Sequence, residues 1–266
     1  MTIHFTKMSG AGNDFIMIDN RAEQRSFSEA QIAQWCMRRL GIGADGLILL
    51  EPSARYDFSM RYYNADGKPG SMCGNGGRCI TRFAYHCGIK KTQFTFEANG
   101  EIYHSEILPN GRVKLKMNPP TAFRDQFTIE GYEAYFINTG SPHLLIYLPD
   151  VETLDVFSEG KKLRSNKTYF PEGTNVNFLS VISPDTLRIR TFERGVENET
   201  LACGTGCVAS AVVSYRLGKI RSQTVTLQVQ SGERMQVEFD PDFQDVFLIG
   251  SAEIVFEGRI ELRESA

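Results

Sequence analysis

The chain has little of several features that define other classes of protein. Its 266 residues include six cysteines and four histidines, with no CxxC pair and with the histidines far apart. Neither a disulfide scaffold nor a metal site is therefore expected. No segment approaches the roughly 18 consecutive apolar residues of a membrane helix, and Met1 to Met8 contain no basic region followed by an apolar stretch. We expect a cytoplasmic protein with reduced thiols that does not bind a membrane.

A strong charge of either sign is also missing. The formal net charge is −3, the pI is about 5.9, and lysine and arginine are scattered, so no nucleic-acid surface is predicted. The chain has no GxxxxGK[ST] phosphate loop. Gly41 to Gly46 matches GxGxxG, but it follows a predicted helix and opens a predicted strand, the reverse of a dinucleotide site. A small-molecule ligand is the remaining expectation.

Two short stretches share one design. The first is Cys-Gly-Asn-Gly-Gly-Arg from Cys73, and the second is Cys-Gly-Thr-Gly-Cys from Cys203, 130 positions later. Helix-forming residues follow both. Further identities recur at the same offset: Gly74 with Gly204, Gly76 with Gly206, Tyr85 with Tyr215, and Gly88 with Gly218. With the repeated order of strand, loop, Cys-Gly, helix and hairpin, they predict an α+β fold of two homologous halves. Each half is expected to be a twisted, mostly antiparallel sheet wrapped around a central helix.

Local patterns give the predicted elements and the domain limits. Helices are expected from the capping box at Ser28 to the stop at Gly41, over 80–86, over 151–163 and after Cys203. Hairpins are expected at 93–108 and 225–239, and 193–202 is read as a loop. The break at Asn118, Pro119 and Pro120 separates a first domain, 1–118, from a second, 119–258.

A helix that begins at Cys-Gly-x-Gly has specific chemistry. Its first N–H groups and the positive end of its dipole favour an anion and a thiolate. If two such helices point into one cleft between the halves, a carboxylate can bind both sets of N–H groups with a thiol on each side. One thiolate would then remove a proton from the adjacent carbon and the other thiol would return one to the opposite face. The pair favours proton transfer without a covalent intermediate.

Nearly the whole chain resembles the diaminopimelate epimerase family. The likeness rests on these residues: Lys7, Gly10, Gly12, Asn13, Asp14 and Phe15; Asn64 to Gly67 followed by Cys73 to Arg78; Gly140, Pro142 and His143; Asn175; and Glu193 to Gly195 leading to Ala202 to Gly206. The resemblance implies a cofactor-independent isomerase. Its reaction would interconvert L,L- and meso-diaminopimelate for lysine and peptidoglycan synthesis. It also implies a homodimer and a last strand, about 259–266, that returns to the first domain.

The resemblance assigns roles to particular residues. Cys73 and Cys203 would be the two acid/base residues. His143 and Ser141, which lie in a predicted turn, are further candidates for a supporting role and are not assigned one by the resemblance. The reacting carboxylate would bind at Gly74, Asn75, Gly204 and Thr205. The amino and distal groups of the substrate would contact Asn13, Asn64, Asn175, Glu193 and Arg194, since a Glu balances an ammonium and an Arg holds a carboxylate.

Departures from the family pattern leave alternatives open. Gly46 stands where relatives often have Gln, and Ser141 stands where they often have Asn. A related two-cysteine racemase for proline or hydroxyproline would not need Glu193 and Arg194. A redox protein in which Cys73 and Cys203 form a reversible disulfide is a second alternative. A third is a module that binds a carboxylate without catalysis.

Overall fold

The computed structural model describes residues 2–70 and 72–261. The chain forms two compact units, one made of residues up to Leu115 and those from Gly250 onward, the other of Lys116–Ile249. The first unit contains β1 (Thr2–Gly10), β2 (Asn13–Asp19), α1 (Glu29–Cys36), β3 (Gly46–Glu51), β4 (Phe58–Asn64), α2 (Gly74–His86), β5 (Gln93–Ala98), β6 (Glu101–Ile107) and β7 (Val113–Met117), which crosses the unit boundary.

The second unit repeats this order of elements with one additional strand at its start and another before its central helix. It contains β8 (Thr121–Ile129), β9 (Tyr132–Asn138), β10 (Pro142–Tyr147), α3 (Val156–Arg164), β11 (Asn175–Ser183), β12 (Thr186–Glu193), β13 (Asn198–Thr200), α4 (Gly204–Arg216), β14 (Thr224–Gln228), β15 (Arg234–Phe239) and β16 (Val246–Gly250). The last strand, β17 (Glu253–Glu261), pairs with β1 along its length and belongs to the first unit.

The sheet pairings of the two units correspond. In the first unit β2 pairs with β3 and β4 with β5 in parallel, while the pairs β17/β1, β1/β2, β3/β4, β5/β6 and β6/β7 are antiparallel. In the second unit β10/β11 and β12/β14 are parallel, while β8/β9, β9/β10, β11/β12, β14/β15 and β15/β16 are antiparallel. Each parallel pair needs a crossover, and the four helices lie in these crossovers. The predicted α+β class with two pseudo-symmetric, mostly antiparallel halves is confirmed.

One central helix occupies each unit. α2 contacts β1, β2, β3, β4 and β6, and α4 contacts β9 to β12, β14 and β15. Both helices have 13 residues, and most of their side chains are buried. Gly76 lets α2 approach the sheet closely, because a Cβ there would lie 3.1 Å from Ile48 Cδ1. α2 and α4 are followed by Gly88 (φ +101°) and Gly218 (φ +68°), left-handed positions that favour glycine.

Several predicted boundaries were wrong for identifiable reasons. α1 ends at Cys36 and not near Gly41, because the chain folds back and the N–H groups of Ile42 and Gly43 bond the carbonyl of Trp35. α2 begins at Gly74, directly after Cys73, so the predicted Cys-Gly start is confirmed and the apolar pattern over 80–86 covers only the later part of the helix. α3 begins at Val156, where Asp155 caps it, and not at 151.

Three strands were not predicted. β8 is mostly exposed and pairs irregularly with β9, so it lacks an alternating pattern. β13 has three residues within the predicted loop, and β16 is a short apolar run without alternation. The hairpins β5/β6 and β14/β15 are confirmed, the first with Asn99 (φ +52°) and Gly100 (φ +81°) in its turn.

The ends of the units differ from the predicted domain limits. The first boundary lies after Leu115, before the break at Asn118. The second lies after Ile249 and not near 258, because all of β17 pairs with β1. Residues 262–266 of the predicted returning strand lie outside the described residues.

Candidate active site

Cys73 is the N-cap residue of α2. Its backbone is extended (φ −110°, ψ 132°), its side chain makes no capping hydrogen bond, and its carbonyl accepts from Gly77 N at 2.8 Å. The thiol is half-buried. The first N–H groups of a helix have no partner within the helix, so the sulfur stands at an end suited to an anion.

Side-chain hydrogen bonds connect the first turn of α2 to its surroundings. The Arg78 guanidinium, fully buried, donates to Asn75 Oδ1 at 3.0 Å and to the carbonyls of Gly74 and Ser251 at 3.3 and 3.2 Å. Asn75 Nδ2 donates to Asn13 Oδ1. Two predicted binding residues, Asn13 and Asn75, therefore contact each other at the helix that Cys73 begins.

Ionic groups hold Asn13 from the other side. Asn13 Nδ2 donates to Asp45 Oδ2 at 2.9 Å, and Arg38 donates to Asp45 at 2.9 Å and to both oxygens of Asp14 at 3.1 and 2.7 Å. The buried Lys7 ammonium lies 2.8 Å from Asp14. Burial alone would raise the pKa of Asp14, but the hydrogen bonds from Arg38 and Lys7 bring it below its ordinary value.

Asn64 and Gly46 lie opposite each other on β4 and β3. Asn64 opens a turn in which its carbonyl accepts from Gly67 N and its N–H donates to the Lys68 carbonyl, both at 2.9 Å. A Cβ at Gly46 would lie 2.5 Å from Tyr62 Cε2 and 2.4 Å from the Tyr63 carbonyl oxygen. The Tyr62 ring thus fills the space beside Gly46, which accounts for glycine at this departure from the family pattern.

Cys203 has the same position in the second unit. It is the N-cap of α4 with an extended backbone (φ −116°, ψ 109°) and no capping side-chain bond, and its carbonyl accepts from Cys207 N at 3.0 Å. Unlike Cys73, its thiol is buried. A Cβ on Gly206 would lie 3.4 Å from Cys203 Sγ, so the sulfur lies against the first turn of its own helix.

Burial changes the expected acidity of Cys203. Desolvation raises its pKa well above the ordinary value, and the charge of Glu193 acts in the same direction. Hydrogen bonds from Thr205 and the Gly206 backbone oppose this shift. Burial therefore acts against the thiolate that a helix N-terminus favours.

A cluster of uncharged groups surrounds Cys203. Thr205 Oγ1 lies 3.5 Å from Cys203 Sγ and 3.0 Å from His143 Nε2, and Ser141 Oγ lies 3.0 and 3.1 Å from His143 Nε2 and Thr205 Oγ1. Asn177 Nδ2 lies 3.0 Å from His143 Nδ1. Burial lowers the pKa of His143 to about 3, so the imidazole is neutral at physiological pH.

The remaining predicted residues of the second unit adjoin this cluster. Asn175 Nδ2 donates to Ser141 Oγ at 3.2 Å, and Asn175 Oδ1 accepts from Arg194 N at 2.8 Å. The Arg194 side chain donates to the Glu172 carbonyl at 3.4 Å. Glu193 accepts from Thr200 Oγ1 at 2.9 Å. The structure thus connects Ser141, His143, Asn175 and Thr205 directly, while Glu193 and the Arg194 guanidinium have other partners.

Three supporting residues were missed in the sequence: Asp45, Asn177 and Thr191. Asn177 follows Asn175 by two positions on β11, so both side chains point to one face of the strand, and Thr191 lies opposite Asn177 on β12. Polar residues alternating with Val176 and Phe178 were the available signal. Of the other cysteines, Cys36, Cys79 and Cys207 are buried and Cys87 is half-buried.

A solved structure of another protein has a similar fold. A solved structure of a probable proline racemase from Agrobacterium radiobacter K84 superposes with a TM-score of 0.71 at 14% identity, covering 98% of this chain and 93% of that chain. At this identity the likeness concerns the fold alone. The chain therefore has the same fold as that structure.

Sequence comparison gives the family. The diaminopimelate epimerase model matches residues 5–123 and 135–255. The diaminopimelate epimerase of Chlorobaculum tepidum is 51% identical over 96% of this chain and 100% of that protein, and that of Aquifex aeolicus is 42% identical over 97% and 98%. The chain belongs to the diaminopimelate epimerase family, and since an epimerase is an isomerase, it is an enzyme of that class.

Two features are absent from the part of the chain that the structure describes. Within 2–70 and 72–261, no group of three or more His, Cys, Asp or Glu side chains is placed to hold a metal ion. No helix in the same ranges has the length and apolar character needed to cross a membrane.

Proposed function

We propose that the chain interconverts L,L- and meso-diaminopimelate by a two-base proton transfer at Cα, without a cofactor. The observation that carries the proposal is the matched pair of N-caps, in which a cysteine precedes the glycine that begins each buried central helix. Family membership supports the choice of substrate. The proposal includes the predicted cleft, in which both thiols reach one substrate.

The proposed roles follow from the chemistry of each group. One thiolate removes the Cα proton, the other thiol donates a proton to the opposite face, and helix N–H groups at Gly74, Asn75, Gly204 and Thr205 stabilise the charge on the reacting carboxylate. Because Cys203 is buried and its pKa is raised, we assign it the thiol form at rest. Cys73 is then the thiolate that removes the Cα proton from the isomer whose proton faces Cys73.

The distal part of the proposal concerns five residues. Asn13, Asn64, Asn175, Glu193 and Arg194 would bind the amino groups and the second carboxylate. The proline racemase alternative needs no distal site, so it predicts that Arg194→Ala leaves KM and kcat unchanged. Our proposal predicts a KM for diaminopimelate raised by about tenfold or more, as expected for loss of a charged hydrogen bond.

One experiment tests the reaction. The reduced protein is incubated with L,L-diaminopimelate in D₂O, and the Cα signals are followed by NMR. We expect meso-diaminopimelate that carries deuterium at the inverted carbon, and no reaction with L-proline. Binding of diaminopimelate without any exchange would instead support the binding module, and activity that requires an oxidised Cys73–Cys203 pair would support the redox alternative.

We also propose that the enzyme acts as a homodimer in the cytoplasm. β17 exposes Ile254, Val255 and Phe256, with relative exposures of 39, 57 and 46%, although it pairs with β1. A second copy that covers this strand would bury an apolar surface. Sedimentation or light scattering of the wild-type chain and of Phe256→Asp tests this, since the variant should shift toward the monomer.

A further inference from the structure

Asn177 contacts His143, which in turn contacts the Thr205 hydroxyl beside Cys203. The Asn177 side chain is fully buried. Its Nδ2 lies 3.1 Å from the Leu144 carbonyl oxygen, which can only accept, and its Oδ1 lies 3.0 Å from Thr191 Oγ1. These two contacts fix the orientation of the amide. The atom that faces His143 Nδ1 at 3.0 Å is therefore an NH₂ group, which can only donate.

This orientation determines the tautomer of His143. Because Nδ1 accepts from Asn177, it carries no proton, and the neutral ring must carry its proton on Nε2. Nε2 lies 3.0 Å from both Thr205 Oγ1 and Ser141 Oγ. His143 is thus the donor in these contacts, and the Thr205 hydroxyl cannot give its own proton to the imidazole.

The Thr205 proton then has two acceptors, Ser141 Oγ at 3.1 Å and Cys203 Sγ at 3.5 Å. When Cys203 has given up its proton, the sulfur is an anion, and a hydrogen bond to an anion is stronger than one to a neutral hydroxyl. A second observation places Asn177 against the first turn of α4, the helix that Cys203 caps. A Cβ on Gly206 would lie 2.6 Å from Asn177 Oδ1 and 3.4 Å from Cys203 Sγ.

We propose that Asn177 is a positioning residue: by holding His143 in the Nε2–H tautomer, it leaves the Thr205 hydroxyl to donate to the Cys203 thiolate. Other groups that act on Cys203 are Glu193 and Cys207, both of which disfavour the thiolate. Arg194 acts on His143 and disfavours its protonation. The proposal rests on the proposed role of Cys203, but its tests need no substrate, so its failure is distinguishable from failure of the epimerase function.

The first test measures the tautomer. Long-range ¹H–¹⁵N NMR of wild-type protein with labelled histidine distinguishes protonated from unprotonated ring nitrogens, and with four histidines a His143→Gln variant assigns the signals. From pH 6 to 8 we expect His143 with a bare Nδ1 and a protonated Nε2. Asn177→Asp replaces the donor by an acceptor, so Nδ1 should become protonated. A protonated Nδ1 in the wild type, or an unchanged pattern in the variant, would overturn the proposal.

The second test measures the thiolate. The rate at which iodoacetamide alkylates Cys203, read by peptide mass spectrometry at fixed pH, follows the thiolate fraction. Thr205→Val should slow alkylation by about tenfold, which corresponds to a pKa about one unit higher, and Thr205→Ser should restore it. Ser214→Ala is the matched control, because it removes a buried hydroxyl of α4 that bonds Tyr147. Wild-type alkylation in Thr205→Val would contradict the proposal.

Discussion

The first turns of α2 and α4 have corresponding positions in their units, but the hydrogen bonds around them differ. The second residue after each cysteine contacts a strand residue 62 positions earlier: Asn75 bonds Asn13 in the first unit, and Thr205 bonds His143 in the second. In the first unit the helix residue is the donor. In the second the strand residue is the donor, so the hydroxyl of Thr205 is left for the sulfur.

The groups behind these contacts differ as well. Asn13 is held by Asp45 and, through Asp14 and Arg38, by a group of ions that includes the buried Lys7. His143 is held by the neutral amide of Asn177. Both units therefore place a thiol at the start of the central helix and a side-chain contact two residues later. Charged groups lie behind that contact in the first unit, and a neutral amide lies behind it in the second. A half-buried thiol in one unit and a buried thiol in the other suit opposite starting roles.

Loss of either thiol is the largest expected effect. Cys73→Ala and Cys203→Ala should each reduce epimerisation by about a thousandfold, the range in which a positioned acid or base contributes. Cys79→Ala and Cys207→Ala, which remove neighbouring buried thiols, are the matched controls and should retain most of the activity. Normal turnover in Cys73→Ala or Cys203→Ala would remove that residue from the mechanism.

Loss of an ion pair in the first unit should lower the free energy of unfolding more than loss of neutral hydrogen bonds in the second. Asp14→Asn leaves Lys7, a buried cation, without its carboxylate, which we expect to cost about 3 kcal/mol. His143→Gln removes hydrogen bonds between neutral groups and should cost about 1 to 2 kcal/mol. Urea unfolding at pH 7 measures both. Equal losses would show that the ionic character of the first unit has no energetic consequence.

Equivalent glycines should respond differently to alanine. Gly206→Ala places a Cβ 2.6 Å from the buried Asn177 Oδ1, whereas Gly76→Ala places one 3.1 Å from the Ile48 Cδ1 methyl group, which can move. Alanine also gains about 1 kcal/mol in helix propensity. We expect Gly76→Ala to be nearly neutral in thermal unfolding and Gly206→Ala to be destabilised and slower in turnover. The reverse order would contradict the packing described for α4.

Acid should affect the hydrogen-bonded cluster of His143 and the ion pairs of Asp14 in different pH windows. Burial lowers the pKa of His143 to about 3, so the stability it contributes is present above the unfolded value of about 6.5 and is lost as pH falls from there. The pKa of Asp14 is also lowered, and its contribution is lost only below about pH 4. Between pH 7 and 4.5 the Tm of His143→Gln should fall less than that of the wild type, and the Tm of Asp14→Asn should fall about as much.

The sequence predicts those features that local chemistry determines. The Cys-Gly starts of α2 and α4, their glycine ends and the Asn-Gly hairpin follow from capping and turn preferences. The return of the chain after α1 was missed, because it depends on Ile42 and Gly43 bonding the Trp35 carbonyl. β8 was missed because its exposed side chains lack alternation.

The support of the thiols is harder to predict because it depends on contacts between distant residues. Nothing near Asn13 in sequence indicates Asp45 as its partner, and nothing near His143 indicates Asn177. The acidity of Cys203 also depends on its burial by the whole unit, which raises its pKa and which no local sequence pattern shows.

We propose that two thiols act from opposite faces of one carbon, and the deuterium label at early conversion tests this most directly. L,L-diaminopimelate is converted in D₂O to less than about a tenth, and both isomers are then recovered. We predict deuterium at the inverted Cα of the meso product and almost none in the remaining L,L substrate, because the donating thiol has exchanged with solvent and the accepting thiol has not returned its proton. Product that retains protium, or equal deuterium in substrate and product, would contradict a two-base mechanism.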